Sequence, residues 1–120
     1  MGAQDNVIVI ADDDEAMRLL CRVNLELEGY RVREARSAAE IEEALASEDA
    51  ALVILDVHLG SDDGMEIAQR LRAERPGVAV AFLSGSVHLG ERAAALSDAA
   101  IRKPFNLEEL IETVHRLARR

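Results

Sequence analysis

The sequence has a single cysteine, Cys21, so it holds no intrachain disulfide framework. That suits a reducing compartment. Cys21 lies in an apolar, helix-like stretch and reads as a small core residue rather than a nucleophile. Tryptophan is absent, and Tyr30, Phe82 and Phe105 are the only aromatic residues. No apolar run is long enough to span a membrane, so no membrane partner is expected. Met1 to Asn6 lack the basic-then-apolar pattern of a signal peptide, and the cytoplasm is the expected location. Basic residues are scarce: 14 lysines and arginines face 23 aspartates and glutamates, for a net charge of −9 with histidines neutral. That balance argues against this domain wrapping nucleic acid by itself. The basic end from Arg116 to Arg120 is the local exception, and it complements the dipole of a C-terminal helix.

What is present suffices for one core. The 120 residues fit a single domain, over residues 5–120, with no need of a disulfide or metal staple. Apolar residues make up 49% of the chain, which excludes disorder. Val7-Ile8-Val9-Ile10-Ala11 and Ala51-Leu52-Val53-Ile54-Leu55 are short β-branched runs of the kind buried in a parallel sheet. Val78 to Leu83 is a third such run. Tyr30 to Ala35 alternates with charge and reads as a strand nearer an edge, and Ala99-Ala100-Ile101 as a weak one.

Helical spacing lies between these runs. Ala16, Leu19, Leu20, Val23 and Leu27 form one apolar face, ended by Gly29. Ser37-Ala38-Ala39-Glu40 is a capping box, and Ile41, Ala44 and Leu45 supply the face behind it. His58 to Asp63 reads as a loop. Met65, Ile67, Ala68 and Leu71 mark the next helix, closed by Pro76-Gly77. Glu91 to Leu96 is a short helix candidate. Asn106 caps the last helix, whose stripe is Leu107, Leu110, Ile111, Val114, Leu117 and Ala118. Strand and helix thus alternate five times, the pattern of an open α/β sheet with helices on both faces.

The strand ends carry the unusual residues. The first apolar run stops at Asp12-Asp13-Asp14, the second at Asp56, the third at Ser84-Gly85 and the weak one at Lys103-Pro104. Ligands of such sheets bind outside the carboxyl ends of the strands. With a doubly wound order of 2-1-3-4-5, the first and third strands are neighbours and their aspartates meet. Carboxylates about 4 Å apart repel by roughly 4 kcal/mol per pair at an effective dielectric near 20. Such a cluster requires a cation, a shared proton or a basic side chain. Asp14 and Asp63 read as helix N-caps and Phe105 as a packing residue. His58 reads as a side chain facing solvent near the site, and His88 and His115 as surface residues with no partner in view.

Here the sequence resembles the receiver domain of two-component response regulators. The likeness runs nearly end to end. It rests on Val9-Ile10-Ala11-Asp12-Asp13-Asp14, on Leu55-Asp56 with Asp63-Gly64 beyond it, on Leu83-Ser84-Gly85, and on Lys103-Pro104-Phe105. The resemblance implies a flavodoxin-like, receiver-type sheet of five parallel strands with five helices. It implies that Asp56 is the phosphoacceptor, served by a histidine kinase or a histidine phosphotransfer protein. It implies a magnesium ion, with manganese as an alternative, held by Asp13, by Asp12 partly through water, by Asp56 and by the backbone carbonyl of His58. All-oxygen ligation of this kind suits Mg²⁺. Lys103 and Ser84 would contact phosphoryl oxygens, Gly85 would leave room beside them, and the Lys103-Pro104 peptide would be cis. The implied role is signalling rather than enzymatic, with self-phosphorylation from a donor and autodephosphorylation as its only catalysis. An output domain, a protein target and a second copy of the chain are further partners of the kind the family uses.

Three positions depart from the family pattern. Ala100 stands where a tyrosine or phenylalanine usually serves as a switch, so coupling through a ring is not expected. The stretch from Ser84 to Lys103 is about one turn short, which predicts a shortened fourth helix. Gly60 replaces a frequent proline and predicts a looser loop. Rival functions fit less well. A haloacid-dehalogenase-type phosphatase needs a second aspartate where His58 stands, and a nucleotide binder needs a glycine-rich loop where Asp12-Asp13-Asp14 would repel phosphate. The remaining alternative is a receiver-shaped interaction module that works without phosphorylation, for which Ala100 leaves room.

Overall fold

The computed structural model describes residues 6–85 and 90–118. In chain order the elements are β1 (Val7–Ala11), α1 (Glu15–Leu27), β2 (Arg31–Ala35), α2 (Ala38–Ser47) and β3 (Ala50–Asp56). Next come β4 (His58–Leu59), β5 (Asp62–Asp63), α3 (Gly64–Glu74), β6 (Ala79–Ser84), α4 (Gly90–Leu96), β7 (Ala99–Arg102) and α5 (Leu107–Leu117). Five strands form one parallel sheet in the order β2-β1-β3-β6-β7. This is the expected 2-1-3-4-5 order, because the two-residue strands β4 and β5 pair only with each other. The fold is flavodoxin-like, and α4, with seven residues, is the shortest of the helices among the described residues.

The apolar runs become central strands because both faces of the sheet are covered. β1 and β3 are buried at every position. One layer packs Val9, Val53, Leu55 and Phe82 against Ile41 of α2 and Leu71 of α3. The other packs Ile8, Ile10, Ile54 and Leu83 against Leu25 of α1 and Leu110 and Val114 of α5. The charged strand β2 lies at the edge, as its alternation predicts. No helix among the described residues is long and apolar enough to cross a membrane.

The face of α1 differs from expectation. Leu19, Leu20, Val23 and Leu27 are exposed, Leu27 at 78%, while Cys21 and Leu25 are fully buried. The helix carries two apolar stripes on opposite sides, and the wider one faces solvent. Along one side of the buried stripe, Arg18 and Arg22 both reach Glu34 of β2. Its end follows the sequence: Gly29 has φ +99°, its N–H donates to the Glu26 carbonyl, and that of Tyr30 donates to the Leu25 carbonyl.

The segment from His58 to Asp63 also differs. It closes a miniature antiparallel hairpin instead of an irregular loop. Gly60, at φ +60°, takes the first position of its two-residue turn. Proline, fixed near φ −65°, cannot adopt that conformation, so glycine here makes a tight turn rather than a loose one. His88, Asp5, Arg119 and Arg120 lie outside the described residues.

Candidate functional site

Both aspartate-bearing strands end at the same edge of the sheet. Asp12, just past β1, is fully buried, and Asp56, the last residue of β3, is 8% exposed. The Asp12 N–H donates to the Ala35 carbonyl of β2 at 3.1 Å. Its Oδ1 accepts from the Asp14 N–H at 2.9 Å. Asp56 Oδ1 accepts from the His58 N–H at 3.0 Å. Asp13 lies between them on the surface, and one carboxylate oxygen from each of Asp12, Asp13 and Asp56 falls within 4.8 Å of the others.

Lys103 supplies the cation that this cluster requires. Its Nζ donates to Asp12 Oδ2 at 2.9 Å and to Asp56 Oδ2 at 3.1 Å. Burial pulls the ammonium toward its neutral form. The hydrogen bonds and charges of Asp12 and Asp56 outweigh that effect and hold its pKa above the ordinary lysine value. Register brings Lys103 here: Ser84 of β6 pairs with Arg102 of β7, and the next N–H, of Lys103, donates to the Ser84 carbonyl at 2.7 Å. Ser84 is buried beside it, and a Cβ placed on Gly85 would meet no atom of the described residues within 4 Å. The Lys103-Pro104 peptide is cis, and Phe105 packs against the α1–α5 side of the core.

The neighbouring residues divide into supports and bystanders. Asp14 caps α1 by accepting from the Ala16 and Met17 N–H groups, and Asp63 caps α3 by accepting from the Met65 N–H. The His58 side chain is exposed. Ala100 is exposed on β7, opposite Phe82, and supplies no ring. His115 is a surface residue, yet it has partners: Tyr30 Oη meets its Nδ1, and Glu28 meets its Nε2 at 3.2 Å. Cys21 is a core residue, its thiol pushed up to about 12 chiefly by burial, with the Asp12 charge adding and Lys103 opposing.

Two supports act through backbone contacts that the sequence alone does not reveal, although Gly64 belongs to the Asp63-Gly64 pair already noted. A Cβ on Gly64 would stand 2.5 Å from the Asp56 carbonyl oxygen and 2.7 Å from that of Val57. Only glycine lets α3 start so close to the phosphoacceptor candidate. Arg18 of α1 reaches back to the Asp12 carbonyl. Its only sequence cue is its place one turn after the aspartate run.

Residues 8–115 match the family model of the response regulator receiver domain. The chain belongs to that family. The receiver domain is 34% identical over 116 residues to the response regulator MprA of Mycolicibacterium vanbaalenii, a match covering 94% of this chain and 50% of that protein. It therefore spans about half the length of the curated relatives it matches. A CheY-like receiver domain protein from Methanospirillum hungatei superposes with a TM-score of 0.86 at 30% identity, covering 95% of this chain and 94% of that one. The response regulator TrrA of Thermotoga maritima, solved with Mg²⁺ and BeF, superposes with a TM-score of 0.85 at 28% identity, covering 93% and 98%. Receiver domains are modules of two-component signalling rather than classical enzymes. The donor set of this one is all oxygen and suits a hard, oxygen-seeking cation such as Mg²⁺. Oxygen ligands of this kind suit Mn²⁺ as well, but these relatives carry no manganese.

Proposed function

We propose that this receiver domain, over residues 5–120, accepts a phosphoryl group on Asp56 from a histidine kinase or a histidine phosphotransfer protein, with Mg²⁺ required. The observation that carries the reading is the meeting of Asp12, Asp13 and Asp56 at one strand edge with Lys103 bonded to two of them. Asp56 acts as the nucleophile: a bond forms from its carboxylate oxygen to phosphorus as the donor's phosphorus–nitrogen bond breaks. The histidine departs with the electron pair, and a reactive acyl phosphate remains. Asp12, Asp13, Asp56 and the His58 carbonyl would hold the magnesium ion, which neutralises carboxylate and phosphoryl charge when bound.

This chain's own groups do the positioning. Lys103 exchanges its bond to Asp56 for one to a phosphoryl oxygen, and Ser84 donates its hydroxyl to another. Gly85, with no side chain, leaves room beside the group. The same geometry permits self-phosphorylation from a small acyl phosphate and slow autodephosphorylation. The exposed apolar stripe of α1, which begins directly after Asp14, supports a protein donor docking beside Asp13. An output domain or protein target in the cytoplasm reads the result through a route other than a ring at Ala100.

Incubation with acetyl phosphate and Mg²⁺ tests the reading. One phosphoryl group should appear by intact mass, and Asp56→Asn should abolish it. Labelling that persists in Asp56→Asn would overturn the site. A domain that takes no label from any donor would instead favour the interaction module that works without phosphorylation, the alternative that Ala100 supports.

A further inference from the structure

The buried Asp12 and the exposed Asp13 are held very differently. Asp12 is tied through its N–H and its carboxylate. Among the described residues, no hydrogen bond or ion pair holds the Asp13 side chain. What the rest of the fold fixes for Asp13 is its backbone, and with it the direction of the Cα–Cβ bond from which the carboxylate extends.

That backbone is pinned by Arg18. Nη1 donates to the Asp12 carbonyl at 2.7 Å, and Nε donates to Glu34 Oε1 at 3.0 Å. The Asp12 carbonyl belongs to the peptide unit that joins Asp12 to Asp13. The unit is planar, so fixing its oxygen fixes the plane from which Asp13 departs. The preceding peptide is pinned by the sheet, through the Asp12 N–H and the Ala35 carbonyl. Arg18 is itself anchored. Its side chain is only 12% exposed, and Glu34 lies on β2 opposite Ile10, with its other oxygen in an ion pair with Arg22 at 2.6 Å. The guanidinium presents Nη1 and Nε to the two acceptors as separate nitrogens of one rigid plane, whereas an ammonium donates from a single point on a flexible stem.

We propose that Arg18 is a positioning residue that aims Asp13 at the magnesium ion by fixing the Asp12–Asp13 peptide. This rests on the function proposed above. Position and charge pull in opposite directions here. As a cation near an acidic cluster, Arg18 opposes metal binding by Coulomb repulsion, so its charge alone would make its removal tighten Mg²⁺. As a positioning group, its removal weakens Mg²⁺.

The test is calorimetric titration of the metal-free chain with Mg²⁺, alongside thermal melts without metal. Arg18→Ala should weaken Mg²⁺ binding about tenfold or more, the usual scale for groups that orient metal ligands. Arg18→Lys keeps the charge but loses the fork, and it should also weaken binding; charge alone predicts no change. In an Asp13→Ala background, Arg18→Lys should cost nothing further, a coupling that a general loss of stability would not produce. Equal or tighter Mg²⁺ binding in Arg18→Lys, or fully additive losses in the double variant, would overturn the assignment. Should Arg18→Ala not fold, Arg18→Lys decides alone. Failure of the wild-type chain to bind Mg²⁺ would overturn the reading of the site itself, and the positioning role with it.

Discussion

At Gly64 a single methyl group decides whether α3 can start where it does. The Cβ of an alanine would press on three backbone atoms of Asp56 and Val57, none of which can swing aside. Gly64→Ala should cost about 1–3 kcal/mol, as overpacking does, read as a lower denaturant midpoint. Lys103 is the reverse case, a side chain whose loss leaves two buried carboxylates facing each other. Lys103→Ala should lower metal-free stability by about 1–3 kcal/mol, and the gain in melting temperature on adding Mg²⁺ should be larger than in wild type. Cys21 tests burial by chemistry. With its thiol raised from 9.0 to about 12, it should resist thiol reagents at neutral pH until the chain unfolds. The folded thiol ionises later than the unfolded one. Its contribution to stability is therefore complete below about pH 9 and is lost as pH rises toward 12. Asp12, Asp13, Asp56, Ser84 and Lys103 were legible as residues because each ends or follows an apolar run. Arg18 was not, and Gly64 was legible only as half of the Asp63-Gly64 pair, without its reason, because what each touches is backbone.

Among the elements, α1 shows where periodicity stops being informative. Its wide stripe of leucines and valine has the spacing of a buried face, yet the narrow stripe of Met17, Cys21 and Leu25 meets the sheet. Hydrophobic spacing establishes that a face exists but not which of two faces a crossover turns inward. The assignment has a direct check. Leu25→Ala should cost about 2–5 kcal/mol, whereas Leu27→Ala should stay within about 0.5 kcal/mol, both by chemical denaturation. The same exposed stripe bears on signalling. Leu20→Glu or Val23→Glu should slow transfer from a histidine kinase that labels the wild type, while leaving labelling by acetyl phosphate intact. Equal loss with both donors would place the defect in the site rather than on α1. The β4–β5 hairpin makes a similar point at smaller size. Its glycine was visible, but the sign of its φ was not, and that sign turned a loose loop into a tight turn.

For the whole molecule, the order of strands is what makes a site. Asp12 and Asp56 are far apart in the chain and meet only because β1 and β3 are neighbours. Lys103 joins them because β7 pairs with β6 up to Ser84. A cation that binds the folded cluster and not the unfolded chain must stabilise the fold by mass action. Mg²⁺ should accordingly raise the melting temperature, chelation should reverse the rise, and Asp13→Ala should abolish it. The sequence by itself determined the strands, their alternation with helices and the chemistry gathered at the strand ends, since burial and polarity are written in local composition. Only the tertiary structure decided which face of α1 is buried, how Gly60 turns, why position 64 admits no side chain and how Arg18 reaches the Asp12 carbonyl. Those outcomes depend on the distance and orientation of groups far apart in the chain, which local pattern does not contain.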